Sequence, residues 1–107
     1  KVSNFTMRYQ IIKNLPSKEL RNIIDSGKKD IKKGILIAFS IHEGKIGVSV
    51  GVTKDLTEKF DAVELVKEAA SILGGKGGGG RKDFAQAGGV DENKIEDAYK
   101  SVLKKIN

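Results

Sequence analysis

The side chains able to do chemistry are few in kind. His42 is the only histidine, and there is no cysteine. Nucleophilic catalysis by a serine–histidine pair would have to use His42, which falls in His42-Glu43-Gly44-Lys45, a tight turn where a solvated role is the ordinary one. A zinc site needs several ligands at helical or loop spacing, and thiolate ligands and disulfides are excluded outright. No zincin or calcium-loop pattern occurs. Asp25, Asp30, Asp55, Asp61 and Glu64 are spread along helical stretches beside lysines, as surface charges usually are. No catalytic residue and no metal ligand is assigned.

The stretch from Gly74 to Gly89, GGKGGGGRKDFAQAGG, invites other readings. Gly75 to Gly80 spells G-x-G-x-x-G, but in a dinucleotide fold that fingerprint follows a strand and opens a helix. Here it follows a helical pattern and precedes a short strand. A P-loop needs Lys-Ser/Thr after its second glycine, whereas Gly80 is followed by Arg81-Lys82. Gly75-Lys76-Gly77-Gly78 matches the G-x-x-G of RNA-binding KH loops, but those join two helices. A flexible linker would separate two cores, and this run lies inside one small domain. Two readings stay open. The bare amides of Gly77, Gly78, Gly79 and Gly80, bracketed by Lys76, Arg81 and Lys82, suit an anion such as an RNA phosphate. The glycines also suit plain tight packing.

The elements that must position this run follow from periodicity. Phe5 to Ile11 alternates, with Phe5, Met7, Tyr9 and Ile11 on one strand face. After Pro16, with Ser17 as N-cap, Leu20, Ile23, Ile24 and Ile31 define a helix running to about Lys32. Gly27 weakens its middle, and Gly34 ends it. Ile35 to Ile41 is a strand buried on both faces. Beyond the turn, Ile46, Val48, Val50 and Val52 alternate with Gly47, Ser49 and Gly51, completing a hairpin with something packed closely against the glycines. Ala62 to Leu73 is a helix with a broad apolar face, stopped by Gly74. Asp83 to Ala87 is a short strand, and Asp91 caps a last helix through Ile95, Ala98, Tyr99, Val102, Leu103 and Ile106. The expected fold is one α/β domain over residues 1–107, a mixed sheet with helices packed on it in the order β-α-β-β-α-β-α.

Charge is uneven. Residues 1–54 carry eleven Lys and Arg against four Asp and Glu, and residues 55–107 carry nine against ten. A basic half suggests an anionic partner, most commonly nucleic acid. Lys28, Lys29, Lys32 and Lys33 extend that field, although a solvated helix end is their default reading. Only three basic residues are arginine, which argues against bidentate base reading. The longest apolar run, Ile35 to Phe39, is too short to span a bilayer, so no membrane partner is expected.

On these residues the chain resembles the C-terminal, DHH-associated type of domain of alanyl-tRNA synthetase. That family carries G-G-K-G-G-G, at times one more glycine, then R-P-D-x-A-Q-A-G-G. Leu20-Arg21 with Asp25, Glu43-Gly44-Lys45, Gly51 to Asp55 and Glu64-Leu65-Val66 support the likeness. The wider superfamily also ends phosphoesterases and exonucleases, which carry a histidine after the glycines and a shorter A-A-G; Arg81 and Ala85 to Gly89 favour the synthetase branch. Three departures stand out: Lys82 where the family has proline, Gly27 where a leucine is common, and Val63 where glycine is frequent.

The resemblance implies a cytoplasmic, non-catalytic module that binds alanine-accepting tRNA at the outer corner of the L. It also implies support of aminoacylation and editing, with Lys76, Gly77, Gly78, Gly79, Gly80, Arg81, Lys82 and Gln86 at the RNA. Gln86 would bond the RNA or brace the loop. ATP, magnesium and zinc would be used by other domains of the parent, and a homodimer would form through an adjoining helical segment preceding Lys1. The rival function is the phosphate-binding lobe of a DHH-family phosphoesterase.

Overall fold

The computed structural model describes residues 6–16, 19–31, 33–75 and 78–106. Its strands are β1 (Thr6–Lys13), β2 (Gly34–His42), β3 (Lys45–Val52), β4 (Gly79–Arg81) and β5 (Phe84–Gly89). Its helices are α1 (Leu20–Asp30), α2 (Ala62–Ile72) and α3 (Ile95–Ile106), with short 3₁₀ turns at Lys54–Leu56 and Glu92–Lys94. The strands form one sheet in the order β1-β2-β3-β5-β4. β1 is parallel to β2 and the other neighbours are antiparallel. The α/β class and mixed sheet agree with the sequence, and β4 is an added strand inside the glycine run.

Alternation along the strands divides the apolar residues between two cores. Ile35, Ile37 and Phe39 of β2, all four inward valines and isoleucines of β3, and Ala85 of β5 face α2 and α3. Leu36 and Ala38 of β2, with Phe84 of β5, face Leu20 and Ile24 of α1. β2 is therefore apolar from Ile35 to Phe39 because helices cover both its sides. β2 and β3 meet through Glu43-Gly44, both with positive φ (52° and 78°), the backbone that two-residue hairpins need. Gly51 of β3 has the close neighbour the sequence implied. A Cβ on Gly51 would lie 2.3 Å from Ile24 Cγ2, so α1 rests directly on the β3 backbone.

Caps follow side-chain chemistry. Asp61 accepts from the Val63 amide at 2.9 Å and starts α2. Gly74, at φ 77°, ends it, and the Gly75 amide reaches back to the Ala70 carbonyl at 2.9 Å. Asp91 accepts from the Asn93 amide at the 3₁₀ turn that leads into α3.

Three expectations change. α1 stops at Asp30, with Ile31 already extended (φ −104°, ψ 133°) and buried. Gly34 is thus not a helix stop. It opens β2, where a Cβ would meet the Thr6 carbonyl oxygen at 2.3 Å. Ile11 is 45% exposed, although Met7 and Tyr9 pack against the core. Ile11 lies on an edge strand, two residues past the Tyr9–Tyr99 stack (centroids 3.9 Å apart) that closes this end of the sheet. Phe5, Ser17 and Lys32 lie outside the described residues.

Candidate nucleic-acid interface

Most of the described glycines in the run are there because nothing larger fits. A Cβ on Gly75 would fall 1.8 Å from the Gly88 carbonyl oxygen, and one on Gly78 would fall 1.9 Å from that of Gln86. On Gly89 it would meet Leu73 Cβ at 2.4 Å. Gly80 combines φ 147° with a 2.4 Å approach to the Phe84 carbonyl. The chain therefore passes backbone-to-backbone along β5 and closes the sheet as β4.

Gly79 is different. It has an ordinary φ and open space where a side chain would be. Gly88 is exposed, and a Cβ there would make only an ordinary 3.5 Å contact with the Ile46 carbonyl. Packing and φ explain neither residue. Both flank Gln86: Gly79 is its cross-strand partner on β4, and Gly88 is two residues along β5. Tight packing and an open ligand face thus divide the run between them.

Gln86 Nε2 donates to Ser49 Oγ of β3 at 3.2 Å, so this side chain is braced against the sheet. Arg81 ends β4 directly opposite Phe84 and is exposed. The two-residue turn that follows, Lys82-Asp83, is pinned from two sides. The Ala62 amide at the start of α2 donates to the Lys82 carbonyl, and the Val52 amide of β3 donates to the Asp83 carbonyl, each at 2.9 Å. The Lys82 side chain is exposed. Lys76 and Gly77 lie outside the described residues.

Of the four-lysine patch, Lys29 and Lys33 are exposed and Lys32 lies outside the described residues. Lys28 has structural work: its Nζ crosses Gly51 to donate to the Asp83 carbonyl at 2.6 Å. It also sits 4.0 Å from the Asp83 carboxylate. Burial pulls its pKa below the ordinary lysine value, and the Asp83 charge opposes that pull.

From sequence, Arg21 supports the family likeness and Asp83 and Phe84 belong to a strand, but none of the three is assigned to the site. Arg21 Cζ stands 5.1 Å over the Phe84 ring centroid, a cation–π geometry. Arg81 Nε is 3.6 Å from Asp83 Oδ1. The signal available in sequence was the D-F pair closing the glycine run, which meets α1 only in three dimensions. His42 ends β2 opposite Lys45, with Nδ1 3.9 Å from Glu43 Oε1. Among the described residues no three His, Cys, Asp or Glu side chains gather as a metal ion requires, and no helix is long and apolar enough to cross a membrane.

A five-stranded mixed sheet, α1 on one face and a glycine-built edge hairpin define a small class of domains. Residues 4–107 match the DHHA1 domain model, and the chain belongs to that family. Within it, the chain is similar to the crystal structure of the C-Ala domain from Aquifex aeolicus alanyl-tRNA synthetase. That likeness has a TM-score of 0.86 and 36% identity over 99% of this chain and 93% of that one. This domain is accordingly of the C-Ala type.

The alanine–tRNA ligase of Hyphomonas neptunium is 50% identical over 93 residues, which is 87% of this chain and 11% of that protein. That of Bradyrhizobium diazoefficiens is 42% identical over 104 residues, 96% of this chain and 12% of that protein. The chain thus spans about a tenth of the length of these relatives.

Proposed function

We propose that this domain is the tRNA-binding C-terminal module of an alanine–tRNA ligase, holding the corner of the tRNA and supporting aminoacylation and editing by the parent enzyme. The observation that carries this reading is the open space at Gly79 beside the exposed, uncrowded Gly88, on the sheet face where Arg81 ends β4. A glycine that neither packing nor φ requires lets a ligand backbone approach closely, and an exposed arginine beside it favours a phosphate.

The amides of Gly77 to Gly80 would lie along the RNA backbone, with Lys76, Arg81 and Lys82 at phosphates, and recognition would follow shape and charge more than sequence. Gln86 braces the site from below. Lys29, Lys32 and Lys33 would add to the positive field. The names of the relatives support a tRNA substrate, since they are alanine–tRNA ligases. ATP and magnesium would serve alanine activation, and zinc would serve editing, all in other domains of the parent. Dimerisation would use an adjoining helical segment, and the site of action would be the cytoplasm.

The test is a titration of the 107-residue chain with alanine tRNA and a non-cognate tRNA. Comparable binding of both, weakened by Arg81→Ala, is expected of corner recognition. Binding that ignores Arg81→Ala would refute the placement of the RNA on this face.

A further inference from the structure

We infer that Arg21 is a second phosphate-binding arginine, which with Arg81 forms a pincer on one RNA phosphodiester across the Phe84 ring. This rests on the tRNA-binding reading and adds a residue and a geometry to it.

The two arginines come from distant parts of the chain. Arg81 is the cross-strand partner of Phe84, so both side chains leave the same face of the sheet as close neighbours. That is the face covered by α1, where Phe84 packs with Leu20 and Ile24. Arg21, one residue into α1, lays its guanidinium over the same ring, 5.1 Å from the centroid. Phe84 is thus the common neighbour of both.

Each arginine is held by an aspartate in the same manner. Arg21 Nε lies 3.9 Å from Asp25 Oδ2, and Arg81 Nε lies 3.6 Å from Asp83 Oδ1. These pairs engage the nitrogen nearest the stem and leave the terminal Nη groups, the part of the fork that grips a phosphate. Both side chains stay open to solvent, at 56% and 70% exposure. The Lys28 ammonium joins this cluster, 4.0 Å from the Asp83 carboxylate. Lys28 is tied to the Asp83 carbonyl, so the two arginines are the cations of this cluster left to a ligand. Three cations against two aspartates leave the cluster net positive, as a site for a singly charged phosphodiester should be.

The test is a double-mutant cycle on alanine tRNA affinity at one fixed salt concentration, using the 107-residue chain with Arg21→Gln, Arg81→Gln and the pair. A shared phosphate predicts that each single change weakens binding about ten-fold. The double variant should then be within about three-fold of the weaker single, because the two act as a unit. Multiplied losses would mean two separate phosphates and overturn the pincer. Arg21→Gln within about two-fold of wild type, with Arg81→Gln weakened, would remove Arg21 from the site while leaving the tRNA-binding reading intact. If neither change weakens binding, that reading itself fails for this face. Arg21→Lys keeps the charge and an apolar stem over Phe84, and carries the test should Arg21→Gln impair folding. Partial recovery is expected because an ammonium cannot present a planar fork, and full recovery would reduce Arg21 to a general positive field.

Discussion

Alanine scanned through the glycine run should separate packing from ligand space. At Gly78 the new methyl would sit 1.9 Å from the Gln86 carbonyl oxygen and 2.6 Å from Ala87 Cβ. Neither neighbour can swing aside without moving β5, so β4 must detach or shift, at about 1–3 kcal/mol. Gly80→Ala adds a disfavoured φ of 147° to a 2.4 Å contact with the Phe84 carbonyl and should cost at least as much. Gly79→Ala meets nothing within 4 Å. With an ordinary φ, it should leave stability unchanged or raise it by about 0.4–1 kcal/mol through the unfolded chain. Urea unfolding midpoints of the three variants measure this directly. Binding should invert the ranking between stability and function: Gly79→Ala folds normally yet weakens tRNA binding about five-fold or more, if the methyl enters a close contact worth about 1 kcal/mol or more. A Gly79→Ala protein as unstable as Gly78→Ala would refute the packing argument, and unchanged tRNA affinity would refute the ligand argument.

Other outcomes follow from particular contacts. Asp83→Asn removes a negative charge beside a polyanion, so charge alone predicts tighter tRNA binding. Loss of the 3.6 Å pair that orients Arg81 predicts several-fold weaker binding, and we expect the latter, with some loss of stability as well because the part-buried Lys28 ammonium loses the charge that offsets its burial. Gly34→Ala should destabilise by about 1–3 kcal/mol, since its methyl meets the Thr6 backbone. A methyl on Gly27 would fall 2.1 Å from the end of the buried Leu36 side chain, and the shift this demands offsets about 1 kcal/mol of gained helix propensity, so the melting temperature of Gly27→Ala should change little. Burial first, then Glu96 and Tyr99, raise the pKa of Tyr9 above the ordinary tyrosine value. The neutral phenol is therefore favoured in the fold, and its contribution is complete below the ordinary tyrosine pKa. It is lost as pH rises through the raised folded value. Tyrosinate difference absorbance should show one late-titrating tyrosine that disappears in Tyr9→Phe.

The strands were legible because their pattern is local. Ile46, Val48, Val50 and Val52 alternate so strictly that one register buries them all, and Glu43-Gly44 supplies the positive φ that the hairpin needs. β4 was not legible: Gly79, Gly80 and Arg81 have no alternation, and they become a strand only because β5 offers an edge. Gly27 reads as a weak point in the helix and Gly34 as its stop, yet the neighbours that crowd them are Leu36 of β2 and the Thr6 carbonyl of β1. Within the candidate site, Arg81 and Gln86 were visible in the long motif. Lys28 looked like surface charge until its contact with Asp83, 55 residues away. Arg21 gained its meaning only through the Phe84 ring.

The most direct test of the central claim is the salt dependence of alanine tRNA binding by this chain. Engagement of about four phosphates predicts that log K falls against log salt with a slope of roughly −3. The slope should become shallower by roughly one in Arg81→Gln, through loss of a single phosphate contact. Binding that ignores salt, or a slope that Arg81→Gln leaves unchanged, would contradict the account.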